Sequence, residues 1–208
     1  MLTKPNILRL IFFIFAFAAA LYYPVREVLA FERPAVPPVE MRFRARGYDP
    51  YDPMRGHYIN LNIDGSIKLS RGEYERQVEL FPRSRRSKAF AVLETDQEGF
   101  ARVTGLLPAD RRPEGKTFVT VNDFWFNKGY GKHAPSCNIR MPFNRYFINE
   151  KLAQDAEALL RNVTRSKKNA AVLVVSIYAD GRCAVKDLLI NGKPIRELLT
   201  APPKETKK

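Results

Sequence analysis

The chain reads as an α+β protein: a predominantly antiparallel β domain with one main helix, preceded by a single N-terminal transmembrane helix. Three observations lead there. Residues 10–25 carry no charge, and residues 11–21 read IFFIFAFAAAL. Several later segments alternate apolar and polar residues with the period of two that a half-buried strand requires, and short turns separate them. One stretch, residues 149–161, changes to the helical period instead.

The charge-free stretch spans 16 residues, about 24 Å at a rise of 1.5 Å per residue. A hydrocarbon core of about 30 Å takes about 20 residues. Extension back to Ile7 supplies most of the difference, because the long side chain of Arg9 reaches the headgroups. Tyr22 and Tyr23 then fall at the interface, where aromatic side chains collect. Ala16-Phe17-Ala18 and Ala18-Ala19-Ala20 also fit a signal-peptidase site, but cleavage there leaves an apolar segment at the lower limit for a signal peptide. An uncleaved anchor is therefore expected. Lys4, Arg9 and the amino terminus hold the N-terminal end in the cytoplasm, so the rest is expected across the membrane. The expected organisation is an anchor over 1–30, a Pro-rich linker over 31–40, a β-rich domain over 41–199 and a disordered basic tail over 200–208.

In residues 41–46, Met41, Phe43 and Ala45 alternate with Arg42, Arg44 and Arg46, which gives a strand with one buried and one wet face. Gly47 ends it, and Asp49-Pro50-Tyr51-Asp52-Pro53 forms a stiff turn. Ile59, Leu61 and Ile63 against Tyr58, Asn60 and Asn62 give a second strand, closed by Asp64-Gly65. Ser70 and Glu73 have the spacing of a capping box, so a short helix is expected over 70–80. Residues 89–95 and 100–106 form a hairpin about Asp96-Gln97-Glu98-Gly99. Residues 117–126, rich in Thr, Val and aromatics, are expected as one strand, with a loop over 130–135. In 149–161, Leu152, Ala153, Ala156, Leu159 and Leu160 line one helical face, with Asn149 as the N-cap. A continuous apolar strand over 171–178 turns at Ala179-Asp180-Gly181-Arg182 into a strand over 183–190. Asn191-Gly192 turns again, and Pro194 opens a terminal helical turn.

Lys and Arg exceed Asp and Glu by 35 to 22, a net charge of +13. The excess is clustered, at Arg83, Arg85, Arg86 and Lys88 and again at Arg161, Arg165, Lys167 and Lys168. Solubility and orientation account for it, and the anionic surface of the protein's own membrane is the partner it suits. No nucleic-acid-binding module accompanies the clusters, so no nucleic-acid partner is expected. Cys137 and Cys183 lack metal-ligand spacing, and His57 and His133 stand apart, so neither a metal nor any other cofactor is expected. The two cysteines either form one disulfide in an oxidising compartment or remain buried thiols.

Several segments together resemble one family. Asp49-Pro50-x-Asp52-Pro53-x-Arg55 leads into Gly56-His57-Tyr58-Ile59-Asn60-Leu61-Asn62-Ile63, which resembles the membrane-anchored family named for its G-D-Y-x-x-L-x-Y motif. Gly56, Tyr58 and Leu61 match; His57 replaces the Asp and Ile63 the final Tyr. Residues 145–150, RYFINE, resemble the family's R-Y-F-x-x-E block, and Asp180-Gly181-Arg182 with residues 188–194, LLINGKP, resembles its closing segment. The resemblance implies a membrane-anchored, exported β-rich domain in a bacterium, with the anchor in the inner membrane and the domain periplasmic or extracytoplasmic. It implies no reaction. Within the motif, Arg55, Gly56, Tyr58 and Leu61 are read as scaffold: Gly56 frees the backbone, and Tyr58 stands on the face opposite Leu61.

No catalytic residue is assigned. Ser66 with Lys68 and Ser166 with Lys167 lie in polar, basic surroundings, where nothing would strip a lysine of its proton for a serine–lysine mechanism. Arg145, Tyr146 and Glu150 form the best polar cluster, at a helix start whose backbone N–H groups suit an anion, but a structural junction is the preferred reading, with Arg145 paired to a carboxylate and Tyr146 packed where strand meets helix. Trp125 lies opposite Phe124 and Phe126 on its strand; the whole run is expected as core, and Trp125 would serve a contact surface if its face is exposed. The expected role is binding or assembly at the bacterial envelope with another envelope or membrane protein. The alternative is a hydrolase or other enzyme with an unrecognised active site.

Overall fold

The apolar N-terminal segment forms one helix, α1 (Lys4–Glu32). The computed structural model describes residues 4–47, 58–81, 87–131, 133–165 and 171–200, in two units, Met1–Pro38 and Val39–Lys208. In the first unit, Arg9–Glu32 is long and apolar enough to cross a membrane, a property that an anchor and a signal sequence share. Pro24 sits inside α1 and brings no N–H, so the Ala20 carbonyl lacks its helical donor there. The helix also takes in Phe31 and Glu32, which composition alone gives to the linker.

The second unit starts with β1 (Val39–Gly47), β2 (Tyr58–Ile63), β3 (Ser66–Lys68) and α2 (Arg71–Leu80). Next come β4 (Ala89–Thr95), β5 (Ala101–Pro108), β6 (Thr117–Val121), β7 (Phe124–Asn127), β8 (Ser136–Ile139) and β9 (Arg145–Phe147). The chain then runs through α3 (Glu150–Arg165), β10 (Ala171–Ile177), β11 (Cys183–Ile190), β12 (Lys193–Pro194) and α4 (Ile195–Thr200). A six-stranded sheet takes the order β12-β11-β10-β1-β2-β9, and two three-stranded sheets take the orders β3-β8-β7 and β5-β4-β6. Among the described residues all the strand pairs are antiparallel. The fold is therefore α+β.

The alternation seen in the sequence sorts the side chains. On β1, Met41, Phe43 and Ala45 are buried while Arg42, Arg44 and Arg46 are exposed; on β2, Ile59, Leu61 and Ile63 point the same way as the β1 core residues. Leu173, Val175 and Ile177 of β10 and Ala89, Ala91 and Leu93 of β4 join them in one core. Each such large aliphatic or aromatic side chain contributes about 1.5–3 kcal/mol on leaving water. α3 lies against β1, β2 and β10 and adds Ala156, Leu160 and Val163, spaced so that all three fall on one helical face. The ring of Phe43 meets that of Phe143 at 4.7 Å.

Local chemistry sets the boundaries. Ser70 accepts from the Glu73 N–H, and the Glu73 carboxylate accepts from the Ser70 N–H, closing the capping box of α2. The Asp96 carboxylate accepts from the N–H groups of Glu98 and Phe100 and tightens the β4–β5 turn. The expected single strand over 117–126 is instead two. The chain breaks at Asn122 and Asp123, where the Asp123 carbonyl accepts from the Arg140 N–H at 2.9 Å, and so passes from the sheet of β4 to that of β8. Pro194 does not open the last helix but pairs with Leu189 in β12. Gly65 fits because it has no side chain: a Cβ there would lie 2.2 Å from the Ile139 carbonyl oxygen.

Candidate functional site

The segments with family-like motifs converge in space. β2 carries Tyr58 and Leu61, β9 carries Arg145 and Tyr146, and the two strands pair, Tyr58 with Phe147, Ile59 with Tyr146 and Asn60 with Arg145. Tyr146 points inward and is buried. Its hydroxyl donates to Asp187 of β11 at 3.3 Å and accepts from the Arg196 guanidinium of α4 at 3.1 Å. Burial raises the Tyr146 phenol above its ordinary range, an effect the adjacent Arg196 partly offsets. The six-stranded sheet thus curls until its edge strand β9 meets β11, and Tyr146 ties the two together.

Arg145 points to the opposite face. Residues directly across an antiparallel pair share a face, so Asn60 and Arg145 lie on the same outer side as Arg46 and its partner Asn62 on β1 and β2. This row forms one wall of a groove of about 960 Å³. The other walls come from the two small sheets. β7 and β8 supply Trp125 and Asn138, which face each other across their pair, and β5 supplies Arg102. Trp125 is 43 % exposed, whereas Phe124 beside it is fully buried.

Five arginines line this groove against two aspartates. Two of the five are already neutralised. Arg44 stacks on Phe100, 4.1 Å from its ring centre, and pairs with Glu98 at 2.6 Å and Asp96 at 3.3 Å. Arg140 pairs with Asp123 at 2.9 Å. The Phe100 N–H is the main reason the Asp96 carboxyl lies below its ordinary range. Among the described residues, no carboxylate lies within 4.0 Å of Arg46, Arg102 or Arg145. Five asparagines, at 60, 62, 122, 138 and 144, complete a polar lining of groups that both donate and accept. Such a surface is suited to hold an anion with polar substituents.

The expected site residues divide accordingly. Arg145 and Trp125 both line the groove, as does Leu61, although buried. Tyr146 serves the Asp187–Arg196 tie on the other side of β9 instead. Tyr58 lies under the Arg145 guanidinium. Arg55 and Gly56 lie outside the described residues, as does the side chain of Glu150. Cys137 and Cys183 are free thiols, pushed up by burial to about 12 and about 11, so neither is a thiolate nucleophile near neutral pH. Among the described residues, no three His, Cys, Asp or Glu side chains come together as a metal site would need. Sequence reasoning missed Arg46, Arg102, Arg140 and the asparagines as a group. The alternation on β1 and β2 marks the wet face of Arg46, Asn60 and Asn62, but the joining of three sheets leaves no local signal for the group.

Fold and groove define a class: a β-rich α+β domain with a cationic, amide-lined groove, in a chain that also carries an apolar N-terminal helix. Residues 39–188 match the family model GDYXXLXY protein, and the chain belongs to that family. No curated protein and no solved structure matches the chain. Of the two departures from the motif, His57 lies outside the described residues, and Ile63, in place of the final Tyr, packs into the core beside Leu61.

Proposed function

We propose that the protein is a single-pass component of a bacterial inner membrane, with its amino terminus in the cytoplasm and its β-rich domain outside. It works there by binding rather than by catalysis. The groove takes an anionic ligand displayed in the envelope, on a neighbouring protein or on a polymer. The observation that carries this reading is the trio Arg46, Arg102 and Arg145, which face one groove without a carboxylate partner among the described residues. A guanidinium with no carboxylate in pairing distance keeps its forked donors free, and an incoming anion accepts those hydrogen bonds. The apolar helix α1 supports the membrane assignment, and Lys4 and Arg9 ahead of its apolar run support the orientation.

Crosslinking in intact membranes, followed by purification of the full chain, tests the binding role. The wild type should recover an acidic partner, and the Arg46→Ala/Arg145→Ala double variant should lose it while keeping its melting temperature. Equal recovery by the double variant would remove the groove from the function. A reporter that works only in an oxidising compartment, fused after Lys208, should be active; activity of a cytoplasm-only reporter at that position would reverse the topology.

A further inference from the structure

The groove holds one feature that a plain anion site does not need. Trp125 leaves 43 % of its surface in water, on a strand whose Phe124 is fully buried and whose Phe126 packs on Phe81 and Tyr74. An indole is the side chain with the most apolar area to hide, and a flat, half-exposed indole in a polar groove offers a stacking surface. Around it stand asparagine amides, among them Asn138 directly across the β7–β8 pair. Each amide donates and accepts at once, as a sugar hydroxyl does. The uncompensated arginines add a requirement for acidic groups that accept a bidentate fork, as the carboxylate of a uronic acid does. A stacking face, amides that match hydroxyls and guanidiniums that match carboxylates together describe an acidic sugar. A single-stranded nucleic acid also stacks, but such sites use successive aromatic platforms along a cationic track. Here one indole faces the groove. The volume of about 960 Å³ sits at the upper end of small-ligand sites, which suits an oligosaccharide better than one ring.

We infer that the groove is a saccharide site selective for glycans that carry carboxylates, with Trp125 as the stacking platform and Arg46, Arg102 and Arg145 as the carboxylate clamp. This rests on the reading of the groove as an anion site and names the class of anion. The ligand binds without any covalent step.

The chain contains one tryptophan, so emission excited at the red edge of the indole band, beyond tyrosine absorption, reports on Trp125 alone. The full chain is titrated in micelles of a polyoxyethylene detergent, whose headgroup contains no sugar. Oligogalacturonate, a neutral cello-oligosaccharide, inorganic polyphosphate, oligo-dT and poly-glutamate are compared. Oligogalacturonate should change the emission saturably and bind at least ten times more tightly than the neutral oligosaccharide. Polyphosphate should compete weakly and leave the emission unchanged. Followed by polarisation of labelled oligogalacturonate, Trp125→Ala should weaken binding at least tenfold, and Arg46→Ala/Arg145→Ala should abolish it. Should Trp125→Ala fail to fold, the wild-type emission titration alone decides. Equal binding of all polyanions with no emission change would overturn the saccharide assignment and leave the anion groove standing. Tighter binding of oligo-dT or poly-glutamate would overturn it in favour of a nucleic acid or an acidic protein. Neutral and acidic oligosaccharides binding alike would overturn the carboxylate clamp, and failure of every polyanion to bind would overturn both readings.

Discussion

Arg145 lies over the ring of Tyr58, its guanidinium carbon 4.9 Å from the ring centre, across the pairing of β2 with β9. The contact holds an exposed arginine against the outer face of the sheet while its charge remains available to the groove. Exposed cation–π pairs contribute about 0.5–1 kcal/mol. A double-mutant cycle of Arg145→Ala and Tyr58→Leu, measured by urea unfolding, should return a coupling in that range. A coupling indistinguishable from zero would show that Tyr58 does not position the arginine.

Tyr146 has the opposite task. Tyr146→Phe removes the hydroxyl between Asp187 and Arg196 and should destabilise the protein by about 1–3 kcal/mol, because partners of a half-buried hydrogen bond lose it without regaining water. The phenol is also raised by burial above its ordinary value of 10.0. Above that value the unfolded state releases the proton first, so the stabilisation is complete below about pH 10 and is lost as pH rises further. Tyr146→Phe should therefore flatten the alkaline limb of a stability–pH curve. An unchanged limb would assign the alkaline loss to other groups.

The two thiols follow the same sign. Cys137 and Cys183, raised from 9.0 to about 12 and about 11, contribute stability that is whole below pH 9 and fades as pH rises through those values. At pH 8 both should react with a thiol reagent far more slowly than a free cysteine, and a denaturant should restore the full rate. Fast labelling of Cys137 in the folded protein would contradict its burial in β8.

Two glycines should respond in opposite directions. Gly65→Ala drives a methyl group into the Ile139 carbonyl, so it should cost more than about 2 kcal/mol and separate β3 from β8. Gly72, in the first turn of α2, has nothing within 4 Å of an added Cβ. Gly72→Ala should be neutral or stabilise by up to about 1 kcal/mol through helix propensity. Thermal melts of the two variants decide, and a neutral Gly65→Ala would refute the close approach.

The sequence discloses structure where the pattern is long enough to repeat. The alternation of β1 and β2, the β4–β5 hairpin, the Ser70–Glu73 cap and the apolar face of α3 all rest on neighbours in the chain. β3, β8 and β9 have three or four residues each, too few to establish a period. The division at Asn122 and Asp123 is set by pairing with distant strands, so 117–126 looks continuous when read locally. The groove is harder still. Arg46, Arg102 and Arg145 come from three strands in two sheets, and only the sheet order brings them together. Trp125 was legible as a side chain apart from Phe124 and Phe126, but its exposure depends on what the rest of the fold leaves uncovered.

β1 lies inside the six-stranded sheet, and its longer pairing is with β10, Val39 opposite Ile177 and Ala45 opposite Ala171. A ribosome makes the chain from the amino end, so β1 emerges long before the strand that will cover that edge. During synthesis it has only β2 beside it, and its row of backbone N–H and C=O groups toward β10 stays open. Closing so large a loop is slow, because the entropy of the intervening chain is lost before the contact returns anything. The nascent domain should therefore pass through a stage in which β1 offers a free edge to any extended segment nearby, and a chaperone that masks such edges would act on it then.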